Sequence, residues 1–387
     1  MRVAFNGWFL QRPQTGTGRY VYSLLQSLGR VDGVNEYRVC CPREPETRPQ
    51  TPSTFQWEIV PVGRLGVSDN VEKLVWEQRT FPAAARRANA RVLHVPHFAP
   101  PARSQGIPTI VTIHDVISLR LPMYRASPSA QLYGRLVQGA ARHTALIITV
   151  SEFSKGEILT ALGVPEERVR VVREAPASQY RRVADIERLR AVCVKYGVGE
   201  RFVLNVGGLD ARKNVASLVG AFAAVYHQIG DPTLRLFIAG DPARLGSSPL
   251  FPDWRPLAAR LSVLDAILCA PVEEEDLPAL YSAASCFAHA SLYEGFGLTP
   301  LEAMACGAPV VCSNTTSLPE VVGNAGILVN AEDPDAFGGA IYRVLTLAPL
   351  REDLRARGLV RVKLFSWDQA AVETSALYAE VAGTSQE

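Results

Sequence analysis

The chain has no run of about 18 apolar residues, although 48% of it is hydrophobic, so no membrane-spanning helix is expected. Its seven cysteines are odd in number and include no C-x-x-C pair. Cys40, Cys41, Cys193, Cys269, Cys286, Cys306 and Cys312 stand mostly in apolar surroundings, as reduced core cysteines do, which argues against a disulfide framework and for the cytoplasm. Charge of one sign is also lacking: 40 Lys and Arg face 38 Asp and Glu, a net charge of +2. A chain whose main task is nucleic-acid binding would be more basic. No G-x-G-x-x-G follows any predicted strand, which argues against a nicotinamide dehydrogenase. Met1-Arg2-Val3-Ala4-Phe5 runs straight into a strand with no signal-peptide pattern. Short repeats and low-complexity tracts are missing, and nothing in the composition speaks to oligomeric state.

What is present is alternation. Strands are expected at Val3–Asn6, Arg38–Cys41, Val92–His94, Thr109–His114, Leu146–Val150 and Val169–Val172. The second half repeats the theme at Phe202–Val206, Leu234–Ala239, Ile267–Cys269, Cys286–His289, Pro309–Cys312 and Ile327–Val329. Between them run helical patterns such as Thr17–Leu28 and Val215–His227. Alternating β and α elements imply parallel sheets covered on both faces. For 387 residues, two Rossmann-like α/β domains are expected. The boundary is expected near Arg173–Ser178, where the strand pattern ends and a charged helix, Asp185–Lys195, follows.

Ligands of open α/β sheets bind past the carboxyl ends of strands, and five segments stand there. Glu294–Glu302 reads E-G-F-G-L-T-P-L-E, two carboxylates around a glycine-rich turn between strand and helix. Its glycines permit close backbone approach, and its helix amides suit an anion. Thr299-Pro300-Leu301-Glu302 alternatively reads as a capping box, with Glu302 satisfying helix amides. Gly207–Asn214 places Arg212 and Lys213 after two glycines, suited to a diphosphate; solvated surface charge is the alternative. Gly16 and Gly18 open the first helix, as an anion site or merely a tight turn. His114-Asp115 closes a strand, where the imidazole either bonds a substrate hydroxyl or orders its loop. Gly240-Asp241 is the fifth. His94-Val95-Pro96-His97 lacks a third metal ligand, and Asp333-Pro334-Asp335 reads as a helix N-cap rather than a metal motif. Arg79, Arg86, Arg87 and Arg91, on or beside an Ala-rich helix, form a solvated face or, alternatively, a peripheral contact with anionic lipid.

Together these segments resemble family 4 glycosyltransferases, retaining enzymes of the GT-B architecture. The motifs that carry the resemblance are T-G-T-G-R-Y at Thr15–Tyr20, T-I-H-D at Thr112–Asp115, V-S-E-F-S at Val150–Ser154, V-G-G-L-D-A-R-K-N at Val206–Asn214, the Glu294–Glu302 segment, and F-S-W at Phe365–Trp367. The resemblance implies an N-terminal acceptor-side domain, 1–174 completed by 366–387, and a nucleotide-sugar domain, 175–365, facing it across a cleft. It implies that Lys213 and Arg212, with Gly208, Gly16 and Gly18, serve the donor diphosphate. By the same resemblance Glu302 takes the ribose, and the amides of Phe296, Gly297 and Leu298 contact sugar or phosphate. His114 and Glu294 sit by the transferred sugar as catalytic candidates. One position departs from the pattern: many relatives have arginine where Gly208 stands, so Arg212 has to supply part of that charge.

The resemblance further implies a donor of GDP-mannose first and a UDP-hexose second, no metal and no other cofactor, and a saccharide or lipid-linked saccharide acceptor. Acceptor choice is expected in Trp8–Gln14 and Leu121–Ser129. A non-catalytic nucleotide-sugar scaffold and a sugar-nucleotide 2-epimerase of the same architecture are the alternatives.

Overall fold

The computed structural model describes residues 1–63, 69–124 and 128–383. The chain divides into two compact units, Met1–Glu174 with Ser366–Glu387, and Ala175–Phe365. Part of the segment expected to choose the acceptor, 125–127, lies outside the described residues.

The first unit is built on β1 (Arg2–Asn6), β2 (Glu36–Cys41), β3 (Phe55–Ile59), β4 (Val92–Val95), β5 (Thr109–Thr112), β6 (Leu146–Thr149) and β7 (Val169–Val171). Their spatial order is β3-β2-β1-β4-β5-β6-β7, parallel throughout. Central strands β4, β5 and β6 are buried along their whole length, as expected of a parallel sheet covered on both faces. Edge strand β3 was not expected. Its F-Q-W-E-I alternates apolar and polar residues and is mostly not buried, so it lacks the continuous apolar run that marks its neighbours.

The second unit carries β8 (Phe202–Val206), β9 (Arg235–Ala239), β10 (Ile267–Ala270), β11 (Cys286–His289), β12 (Val310–Ser313) and β13 (Gly326–Val329). Their order is β10-β9-β8-β11-β12-β13, again parallel. Side chains of β8 alternate between two cores: Val203 joins one, and Phe202, Leu204 and Val206 join the other, the period of two a strand imposes.

Each sheet has one place where the chain reverses its direction of travel across it: between β1 and β4 in the first unit, between β8 and β11 in the second. Loops leaving the strands diverge there and open a crevice at the carboxyl ends.

The C-terminal helix Trp367–Gly383 belongs to the first unit. Its Ser375 hydroxyl donates to Asp32 at 2.6 Å. Burial raises the Asp32 pKa, but hydrogen bonds from Ser375, Tyr37 and Asn35 outweigh it and hold the group at about 2.

Candidate functional site

In the second unit, the loops leaving β8 and β11 meet at the crevice. After β8, Gly207 turns at φ +144°, which favours glycine. Arg212 and Lys213 then sit on a short 3-10 turn, Ala211–Lys213, separated from the helix Val215–Ile229 by Asn214 in the left-handed region. The two cations are therefore not in the first turn of that helix, where its dipole would oppose them. After β11, the chain runs through Ser291 and Tyr293 to Glu294.

The two loops are pinned to each other through Arg212. Its carbonyl accepts from the Leu292 N–H at 2.8 Å, and its Nη1 donates to the Tyr293 carbonyl at 2.9 Å. A third loop holds Glu294 from the other side. The Thr316 hydroxyl accepts from the Glu294 N–H at 3.2 Å, and the Ser317 hydroxyl contacts the carbonyls of Glu294 and Phe296 at 3.0 and 2.6 Å.

One carboxylate gathers the charges. Glu294 Oε2 accepts from Arg212 Nη1 at 2.9 Å, and Oε1 accepts from Lys213 Nζ at 2.6 Å and from His289 Nε2 at 2.9 Å. Asp210 lies 3.3 Å from the Arg212 guanidinium. Burial pushes the Glu294 pKa up, but the Lys213 charge, the His289 hydrogen bond and the Arg212 charge hold it well below the usual carboxylate range. Burial lowers the His289 pKa against the pull of Glu294. A neutral His289 donates from Nε2, so its Nδ1 is an acceptor; that atom is buried without a partner among the described residues. The cluster as it stands is charge-balanced: two cations face Glu294 and Asp210. The Lys213 ammonium has three donors, one of which Glu294 takes.

Below this cluster the helix Leu298–Ala305 begins after Gly297, which sits at φ +114°; among the described residues no side chain caps it. The capping box is therefore not formed: the helix starts at Leu298, ahead of Thr299, and Pro300 is its third residue. Phe296 is buried against Phe365, with ring centroids 5.9 Å apart. Glu302 is 1% exposed and receives the Tyr281 hydroxyl at 3.3 Å. Gly208 is exposed, and a Cβ there would meet Asp210 Oδ2 at 3.1 Å. At Gly240 a Cβ would lie 2.8 Å from the Gly207 carbonyl, so close packing under the loop that follows β8 accounts for that glycine.

In the first unit, His114 stands just past β5. Its Nδ1 meets Glu174 Oε1 at 2.8 Å and its Nε2 meets the Pro96 carbonyl at 3.2 Å. Both partners only accept, so the ring satisfies both by carrying two protons. Burial lowers its pKa, but the Glu174 hydrogen bond and the charges of Glu174 and Asp115 outweigh burial and raise it overall. Gly16 opens the helix Gly16–Val31, and a Cβ there would meet nothing. Gly18 has a local reason: its N–H donates to the Thr15 side chain at 3.1 Å, and a Cβ would lie 2.1 Å from the Arg12 carbonyl. Arg79, Arg86, Arg87 and Arg91 are exposed.

Sequence reasoning missed His289, Glu174, Asp210 and the Thr316–Ser317 clamp. Only His289 had a local signal, a histidine closing an apolar strand five residues before Glu294. It also missed a second buried acid. Glu77 accepts from His97 Nε2 at 2.9 Å and from the Tyr133 hydroxyl at 2.7 Å, with Lys73 at 3.3 Å.

Comparison with known proteins follows the same division. Residues 15–174 match the model described as Glycosyltransferase Family 4, and residues 194–360 match Glycosyl transferases group 1. The chain is 30% identical over 390 residues to O-antigen chain mannosyltransferase B of Escherichia coli, covering 98% of this chain and 99% of that one. It is 27% identical over 274 residues to the serotype-specific mannosyltransferase WbdA of Escherichia coli, covering 70% of this chain but 33% of that one. Among solved structures, sucrose-phosphate synthase from Thermosynechococcus elongatus superposes with a TM-score of 0.76 at 21% identity, covering 99% of this chain and 100% of that one.

Proposed function

The chain belongs to glycosyltransferase family 4, and from that premise we propose that it moves mannose from GDP-mannose to a saccharide or lipid-linked saccharide acceptor with retention of configuration. A UDP-hexose is the second donor choice. One observation carries the reading: Arg212, Lys213 and Glu294 converge where β8 and β11 part, with an uncapped helix start beside them. Mannose is preferred because a relative that matches this chain nearly end to end is named a mannosyltransferase.

In this reading Lys213 and Arg212 hold the donor diphosphate, and the amides of Phe296, Gly297 and Leu298 face its phosphates or the sugar. Glu302 takes the ribose hydroxyls, exchanging its Tyr281 contact for them. Glu294 sits by the transferred sugar. In the first unit, His114 is assigned to a hydroxyl of that sugar, and Gly16 to the donor. Gly18 is kept as a lining position only, since Thr15 already takes its amide.

Bond breaking leaves negative charge on the diphosphate and positive charge on the sugar ring. Fixed cations stabilise the first, and the ionised Glu294 the second, without reorganisation at the moment of reaction. A departing phosphate oxygen takes the acceptor hydroxyl's proton. Relatives in this family hold the diphosphate without a metal, and here Arg212 and Lys213 are the cations assigned to it. The enzyme is assigned to the cytoplasm; among the described residues no helix is long and apolar enough to cross a membrane. Exposed Arg79, Arg86, Arg87 and Arg91 are the candidates for peripheral contact with anionic lipid.

The test screens GDP- and UDP-sugars for thermal stabilisation, hydrolysis and transfer, in the wild type and in Lys213→Ala. GDP-mannose is expected to stabilise and turn over. Lys213→Ala should lose diphosphate-dependent stabilisation and about 100-fold in transfer, the cost of one preorganised partner at about 3 kcal/mol. Unchanged stabilisation by GDP in the variant would refute the assignment of this loop.

A further inference from the structure

A cavity of about 420 Å³ lies in the first unit. That volume is at the small end of ligand pockets, and suits one or two sugar rings. Its walls are of two kinds. Phe98, Tyr124 and Tyr133 supply aromatic surface, and Gln131, Arg135 and Gln138 supply polar groups.

The helix Pro128–Ala141 explains the polar wall. Gln131, Gly134, Arg135 and Gln138 recur at the helical spacing of three and four residues, so they share one face. Apolar Leu132 and Leu136 lie off that stripe and are exposed. Gly134 sits inside the helix, where glycine is unfavourable relative to alanine, yet a Cβ there would meet nothing within 4 Å. Packing therefore does not require glycine at 134; its effect is to keep the cavity open.

The floor is built. Tyr133 donates its hydroxyl to Glu77 at 2.7 Å, and Glu77 in turn holds His97 at 2.9 Å. His97 follows β4, on the side of the sheet where β1 and β4 part. Its Nδ1 is buried with no partner among the described residues, and His97 itself is 5% exposed. Two hydrogen bonds thus tie the cavity wall to the carboxyl edge of the first unit's sheet, where ligands of such sheets are received.

We propose that this cavity is a carbohydrate subsite, taking a pyranose ring of the acceptor other than the one that reacts. A pyranose has one face of C–H bonds and a rim of hydroxyls. Aromatic faces, negative at their centres, receive the first, and side-chain amides and a guanidinium pair with the second. An acyl chain would fit less well, because it would desolvate Gln138 and Arg135 without giving them partners. The proposal rests on the reading of the chain as a hexosyltransferase with a saccharide acceptor, and names the size of that acceptor: more than one sugar.

The test uses the full chain with GDP-mannose and three acceptors: methyl α-mannoside, α-mannobiose and α-mannotriose. The wild type should use the oligosaccharides at least tenfold better in kcat/KM than the monosaccharide. Gly134→Leu fills the cavity from a position open to a side chain and should keep its Tm. It should lose at least ten times more on the oligosaccharides than on the monosaccharide. Gln138→Ala should move the same ratio in the same direction. Equal losses on all three acceptors, or no loss, would overturn the proposal. If GDP-mannose is not turned over at all, the donor reading has failed, and the cavity is tested alone by saturation-transfer NMR with mannotriose. Contact in the wild type that Gly134→Leu abolishes supports the subsite. No contact, or contact with dodecyl phosphate instead of mannotriose, overturns it.

Discussion

His114 is held between two acceptors, and that fixes how its charge enters stability. Glu174 and the Pro96 carbonyl each take one of its protons, so folding favours the imidazolium and the pKa rises although burial opposes it. A raised folded-state value means the contribution is fully present below the unfolded pKa of about 6.5. It is lost as pH climbs through the raised value. The stability difference between the wild type and His114→Gln, followed by amide exchange in β5 and β6, should therefore be larger at pH 6 than at pH 9. A difference that grows with pH would show that the ring is neutral in the folded state. With both nitrogens bonded to acceptors, the ring is a charged hydrogen-bond donor and has no free lone pair with which to act as a base.

At the scale of elements, Gly297 is the joint on which the site turns. It ends the Glu294 loop, begins the helix Leu298–Ala305, and holds φ +114°. A Cβ there would also stand 2.9 Å from Leu318 Cδ2. Gly297→Ala combines a backbone conformation costing about 1–3 kcal/mol in other residues with a clash against a fully buried leucine. A stability loss of about 2–4 kcal/mol is expected in urea unfolding, together with reduced donor affinity. Gly16→Ala, whose Cβ meets nothing, is the control expected to change stability little.

These joints also show what was legible beforehand. The E-G-F-G segment and the G-G-L-D-A-R-K-N segment announced themselves because glycines and cations interrupt an otherwise apolar alternation. β8 and β11 were placed to the residue because buried parallel strands read as unbroken apolar runs. β3 was missed because an edge strand has no such run. Glu174 was missed because it pairs with His114 across 60 residues, and Glu77 because it sits in a helical stretch whose burial no local pattern reveals. That Arg212 and Lys213 stand on a turn of their own was not legible. Asn214 in the left-handed region breaks the chain there, and asparagine tolerates that region without announcing it.

At the scale of the whole molecule, the chain's last helix completes its first domain. Trp367–Gly383 buries Trp367, Leu377 and Tyr378. Tyr378 meets His94 Nδ1 at 2.6 Å, and Trp367 packs edge-on to Tyr20 at 5.6 Å. Burial keeps His94 neutral, its pKa lowered to about 3. Losing three large buried side chains at about 1.5–3 kcal/mol each approaches the whole stability of a typical domain, about 5–15 kcal/mol. His94, 0% exposed, would also lose its tyrosine partner. The helix shares no strand with Ala175–Phe365, which keeps its own two cores. A chain ending at Phe365 should therefore lose amide-exchange protection in β1 to β7 and retain it in β8 to β13. It should still be stabilised by GDP through Lys213 and Arg212. Loss of protection in both sheets together, or in β8 to β13 alone, would mean that the two units do not fold on the separate cores described.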